Sequence, residues 1–171
     1  EYVPLGKWLP FIAKLVPGQF EFGPGQNTAP LKTGNMAMGL LICYEAIFPE
    51  LAQKQVELGA NVLVNISNDA WFGRSSAPWQ HLHLSILRAV ELNRAIIRGN
   101  NTGISVFIAP DGSLRDPSAL FTSGVVNNPA VPLLTDTTFY HEHFTSIHLA
   151  FPLLCLGLLA LLWRTGRKNN P

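Results

Sequence analysis

Charge is what this sequence has least of. Asp, Glu, Lys and Arg make up 13% of its 171 residues, against roughly 25% in ordinary soluble domains. Apolar residues fill 47%, so a disordered, self-repelling chain is excluded and membrane contact is suggested. The net charge of +1 leaves no basic footprint for nucleic acid. Cysteine is nearly absent too: Cys43 and Cys155 are the only two. They lie in unlike surroundings, which argues against a disulfide and leaves Cys43 a free thiol. His81 and His83, like His141 and His143, have no Cys or Asp partner at ligand spacing, so no metal is expected. The chain opens at Glu1 without Met, basic leader or signal-like apolar stretch, and reads as the continuation of a longer protein.

The first thing present is a long apolar run, Ile147 to Trp163, with His148 its only polar residue. As a helix it spans about 25 Å, near the lower limit for crossing a bilayer. The alternative is a buried core helix. Arg164, Arg167 and Lys168 follow the run, and no Lys or Arg stands in "HEHFTS" before it. The positive-inside rule then puts the C-terminus in the cytoplasm and the rest of the chain across the membrane.

With 171 residues the chain can bury one real core. Trp8, Phe11, Ile12 and Leu15 are spaced as a short amphipathic helix, followed by the Gly/Pro-rich loop "GQFEFGPGQNTAP". Met36–Tyr44 is expected as a strand buried on both faces, Phe48–Leu58 as a helix closed by Gly59, and "ANVLVNIS" as a second buried strand. "NDAWFGRSSAPWQ" reads as a loop, Leu82–Arg98 as the longest helix, with Glu91 and Arg94 a possible pair on it. "GISVFIAP" is a third strand, turned by Asp111-Gly112 into a short fourth. Val125–Val131 is a further extended piece. The pattern is α/β with a mixed sheet.

"GLLICYEAIFPE", from Gly39 to Glu50, ends an apolar strand on a thiol and then starts a helical pattern. A nucleophile gains from such a turn: its side chain is exposed, and the next backbone N–H, here that of Tyr44, is placed to stabilise an oxyanion. A helix N-terminus there would also favour the thiolate. Buried structural cysteines are common in strands as well, and the segment by itself leaves both readings open.

"LLICYEAIFPE", "GANVLVNISNDAWFG", "AVELNRAIIRGNNTGIS" and "IAPDGSL" occur in that order and together resemble the nitrilase superfamily over roughly Glu1 to Leu114. "EYVPL", "ISNDAWFG", "PWQH" and the apolar C-terminal run are similar to its membrane-bound bacterial branch, which N-acylates lipoproteins. The resemblance implies a partial αββα sandwich over 1–144, a transmembrane helix over 145–164 and a cytoplasmic tail over 165–171. It implies Cys43 as the nucleophile, with Glu1, Tyr44 and Glu45 supporting it, and the family's glutamate base and oxyanion lysine upstream of Glu1. Lys7 and Lys14 follow Glu1 and do not fill the lysine's place. Trp71, Phe72 and Trp79 are implied near the mouth of the site, as acyl-chain contacts or as mere loop anchors. The implied partners are a phospholipid acyl donor, a diacylated apolipoprotein acceptor and the inner membrane, with the catalytic domain periplasmic. The fragment alone is expected to be inactive. Two other readings stand beside this one: a nitrilase-type amidase acting on a small amide, and a non-catalytic membrane-tethered binding module. A Cys–His hydrolase pairing Cys43 with His81 is a further, weaker alternative.

Overall fold

A computed structural model describes residues 28–127 and 130–168, with the backbone alone for 163 and 165–168. Glu1, Lys7, Lys14 and the helix expected around Trp8–Leu15 lie outside the described residues, as do the side chains of Trp163, Arg167 and Lys168.

Six strands form one mixed sheet in sequence order. β1 (Leu31–Thr33) and β2 (Met36–Ile42) make an antiparallel hairpin. A 3-10 turn, Cys43–Ile47, leads into helix α1 (Pro49–Glu57). The chain returns as β3 (Val62–Ser67), parallel to β2. Helix α2 (Ala77–Leu92) then carries it to β4 (Ile96–Asn100), parallel to β3. β5 (Val106–Ile108) and β6 (Leu114–Arg115) complete the sheet antiparallel.

The core lies between α1, α2 and one sheet face. Leu41, Leu63, Ile96, Val106 and Ile108 meet Ala52, Val56, Leu82, Ala89 and Leu92. Gly39 lets α1 approach β2 closely: a Cβ there would stand 2.7 Å from the Gln55 Cβ and 2.9 Å from that of Ala60. The opposite face, with Leu40, Ile42 and Ile66, stays exposed among the described residues. β2 is therefore buried on one face, where its continuous apolar run had suggested two. The open face is the side on which an αββα sandwich stacks its second sheet.

The region expected as one helix over Leu82–Arg98 is a helix and a strand. Asn93 adopts φ +51° and ends α2, a left-handed cap that Asn tolerates. The β-branched Ile96 and Ile97 then enter the sheet; their spacing from Leu92 matches a helical stripe only by coincidence. Glu91 pairs with Arg88, while Arg94 donates to the carbonyls of Ala60, Leu92, Asn93 and Asp136. The expected loop at 68–80 contains a 3-10 turn, Asp69–Phe72, capped by Asn68. It also contains the start of α2, with Pro78 in the first turn, where its missing N–H costs nothing. No strand forms at the described residues of 125–131.

After α3 (Phe139–Glu142) comes α4 (Phe144–Lys168), the longest helix described. Its stretch Phe144–Leu162, 19 residues, is apolar enough to cross a membrane, and none of it is buried in the protein. Among the described residues it is therefore not a core helix. Pro152 sits inside the helix, as membrane helices allow.

Candidate active site

Cys43 follows the last residue of β2 and adopts φ +51°. For a residue with a Cβ this left-handed conformation costs on the order of 1–2 kcal/mol and persists only where its surroundings hold it. Several bonds do so. The Asn65 amide donates to the carbonyls of Leu41 (2.9 Å) and Cys43 (3.1 Å). His81 Nε2 lies 3.2 Å from the Cys43 carbonyl. Glu45 reaches back to accept from the Ile42 N–H at 2.7 Å. At the far end of the turn, Arg88 donates to the Ile47 carbonyl at 2.9 Å while its other nitrogens grip Glu91. The turn is 3-10, and the α-helix begins only at Pro49. The α-helix starts one residue after the expected Phe48, so the segment directly after the thiol is a 3-10 turn and no α-helix N-terminus adjoins it.

Beneath the turn lies a buried polar network. Ser67 Oγ stands 3.4 Å from Cys43 Sγ and 2.8 Å from Asp69 Oδ1. Asp69 also bonds His81 Nδ1 (3.0 Å) and Arg98 Nη2 (3.2 Å). Arg98 Nη1 donates to Asn65 Oδ1 and, at 3.1 Å, to Ser85 Oγ. Asn65, Ser67, Asp69, His81, Ser85 and Arg98 are all buried. Burial pushes the Asp69 carboxyl upward, but hydrogen bonds from His81 and Ser67 and the charge of Arg98 outweigh it, so its pKa falls below the ordinary carboxylate value. Burial likewise lowers the Arg98 pKa, opposed first by the charge of Asp69. Gly103 is the floor of this network: a Cβ there would come within 2.4 Å of Asp69 Oδ2.

The structure thus joins Cys43, Tyr44 and Glu45 in one turn. Phe72 packs edge-on to the His81 ring at 6.2 Å, and the Tyr44 ring lies 5.8 Å from it. Trp71 is 88% exposed. Trp79 belongs to α2 rather than to the loop, half-exposed, with its carbonyl bonded to His83. Sequence reasoning missed Asn65, Ser67, Asp69, Ser85, Arg88 and Arg98, and it discounted His81. One signal was available: Asn65 and Ser67 stand two apart in the apolar run of β3, which places two polar groups on one face, with Asp69 following in the turn. Arg98 could not be added to them while it was read as helical. Chemically, the arrangement presents a thiol on a strained, fully braced turn beside an ionised cluster, a fit scaffold for nucleophilic catalysis.

Residues 8–127 match the model of the carbon-nitrogen hydrolase family. The chain belongs to that family. Carbon-nitrogen hydrolase structures share its fold: one from Helicobacter pylori G27 superposes with a TM-score of 0.53 at 17% identity, over 60% of this chain and 43% of that one. An amidase from Nesterenkonia sp. AN1, with acrylamide added at its active-site cysteine, gives a TM-score of 0.53 at 24% identity, over 76% of this chain and 51% of that one. Among curated relatives, the apolipoprotein N-acyltransferase of Geobacter metallireducens is 47% identical over 143 residues, 84% of this chain and 27% of that protein. That of Pasteurella multocida is 38% identical over 171 residues, 95% of this chain and 32% of that protein. The chain therefore spans about a third or less of the length of these relatives.

Proposed function

We propose that this carbon-nitrogen hydrolase chain carries the nucleophile of an apolipoprotein N-acyltransferase. The names of its relatives support the reading, and the observation that carries it is the braced Cys43 turn in the same chain as an exposed apolar helix. Deprotonated Cys43 attacks the acyl ester carbonyl of a phospholipid. The C–O bond breaks, the lysophospholipid leaves with a proton, and the acyl chain remains as a thioester. The α-amine of a diacylglyceryl-cysteine lipoprotein then attacks the thioester, an amide forms, and the thiol is restored. The thiol proton goes to a glutamate, and a lysine faces the oxyanion together with the Tyr44 N–H; the family resemblance puts both side chains upstream of Glu1, with Glu1 steadying the lysine. Glu45 supports the turn by holding the Ile42 N–H.

Trp71, Phe72 and Trp79 form the apolar approach for the acyl chain in this reading, with exposed Trp71 the first to meet lipid. Residues 1–144 are the catalytic part, periplasmic; 145–164 cross the inner membrane; 165–171 form the cytoplasmic tail. The helix itself continues to Lys168, four residues past that span.

The test is turnover, in detergent, by the full-length protein that carries this chain, with phospholipid and a diacylated lipopeptide; the chain without the upstream glutamate and lysine is expected to transfer nothing. Acylation of the lipopeptide amine is expected, and Cys43→Ser abolishes it, because an alkoxide is far harder to form and an oxygen ester far less reactive to an amine. Hydrolysis of simple amides without lipopeptide acylation would favour the amidase reading and sink this one.

A further inference from the structure

We propose that His81 is held as an imidazolium that clamps the Cys43 carbonyl, making it a positioning residue for the nucleophile. The inference rests on Cys43 as the reacting group, but its first test does not.

His81 Nδ1 lies 3.0 Å from Asp69 Oδ1, and Nε2 lies 3.2 Å from the Cys43 carbonyl oxygen. A carbonyl oxygen only accepts. Asp69 only accepts as well, because it is ionised against Arg98 and receives the Ser67 hydroxyl. Both ring nitrogens must then carry hydrogen, and a neutral imidazole has just one N–H. A neutral ring would leave one of these two bonds unmade at a buried side chain, where an unmade bond is costly. The ring is 2% exposed, with the aromatic rings of Tyr44 and Phe72 beside it.

Charge agrees with the count. Asp69 faces two partners, Arg98 from β4 and His81 from α2. Two cations around one carboxylate leave a surplus positive charge beside Cys43 Sγ, which touches the cluster through Ser67. An anion forming at that sulfur completes the pairing that buried charges require.

Geometry then fixes the role. His81 points at the backbone of Cys43, with both nitrogens spent, so it is not the base of a Cys–His hydrolase. With the Asn65 amide it makes the second of two donors on the same carbonyl, and these hold the residue in its left-handed conformation. Releasing one lets the turn relax and the sulfur move.

Two measurements test this. Nitrogen-15 NMR of the purified protein, labelled at histidine, reads the ring directly. His81 is the one buried histidine of this chain's five, so its N–H protons exchange slowest. Two slowly exchanging N–H groups on one ring are expected; a single one overturns the proposal. The second measurement compares His81→Phe, which donates nothing, with His81→Gln, whose amide nitrogen takes the place of Nε2 and donates to the Cys43 carbonyl. His81→Phe is expected to lower kcat about a hundredfold, the scale for displacing a reacting group by about an ångström, with KM within twofold. His81→Gln is expected to recover at least tenfold of that loss. Gln no better than Phe, or a raised KM at unchanged kcat, contradicts the clamp. If the variants do not fold, the ring protons of the unaltered protein decide alone. If the unaltered full-length protein folds but acylates nothing, the proposed function falls, and the ring protons still decide the clamp.

Discussion

Asp69 is the residue on which most of the site hangs, because Ser67, His81 and Arg98 all reach it. Asp69→Asn removes the carboxylate and strands Arg98 at the bottom of the network. Breaking a buried pair in this way costs about 3–5 kcal/mol, so a large drop in the urea midpoint is expected. The pH dependence has a definite sign. The folded pKa of Asp69 is depressed, so its stabilisation is complete above the unfolded value of about 3.9 and is lost as pH falls below that value through the folded one. Acid titration of the unfolding free energy should show this loss in the unaltered protein and a shallower slope in Asp69→Asn. Gly103→Ala offers an independent check. The added methyl meets Asp69 Oδ2, and overpacking of this kind costs about 1–3 kcal/mol; a variant as stable as the parent would mean that Gly103 is not the floor of the site. At this scale the sequence was half legible. Cys43, Tyr44 and Glu45 were adjacent and quotable as a phrase. Asn65, Asp69, His81 and Arg98 meet only in space, from two strands, a turn and a helix, and each by itself looks like an ordinary polar interruption.

Elements divide along the same line between local and non-local signals. β2, β3, α1 and the β5–β6 hairpin were readable because apolar runs and Gly turns are local. The break at Asn93 was not, since the apolar period carried across it and one left-handed residue decided the matter. Asn93→Val, forced into that conformation, is expected to lose on the order of 1–2 kcal/mol, while Asn93→Gly holds its stability to within a few tenths; thermal denaturation of the two variants distinguishes them. Equal loss in both would show that side-chain bonds of Asn93, rather than its φ, terminate α2. Helix α4 carries its own prediction. Arg164 and the basic residues after it follow the apolar stretch closely, so a reporter fused after Pro171 that functions only in the periplasm is expected to stay silent. A strong signal would reverse the proposed orientation and with it the compartment of Cys43.

On the scale of the whole molecule, one sheet face is packed by α1 and α2, and the other shows Leu40, Ile42 and Ile66. No reading of the strands one at a time could say which face would be left open, because the apolar run of β2 is the same on both. The fold places the Cys43 turn at the carboxyl end of β2, the first of three adjacent parallel strands, and open α/β sheets commonly put their ligands at such ends. The same chain continues into a helix whose exposed apolar surface suits lipid. Together these features support the central claim of the proposed function, that the protein stores an acyl chain on Cys43. Peptide mass spectrometry of the full-length protein that carries this chain, after incubation with phospholipid and without acceptor, tests it most directly. The account predicts a fatty acyl mass on the Cys43 peptide, released by neutral hydroxylamine as a thioester is. An acyl group on Cys155 instead, or an unmodified Cys43 in protein that acylates lipopeptide, would contradict it.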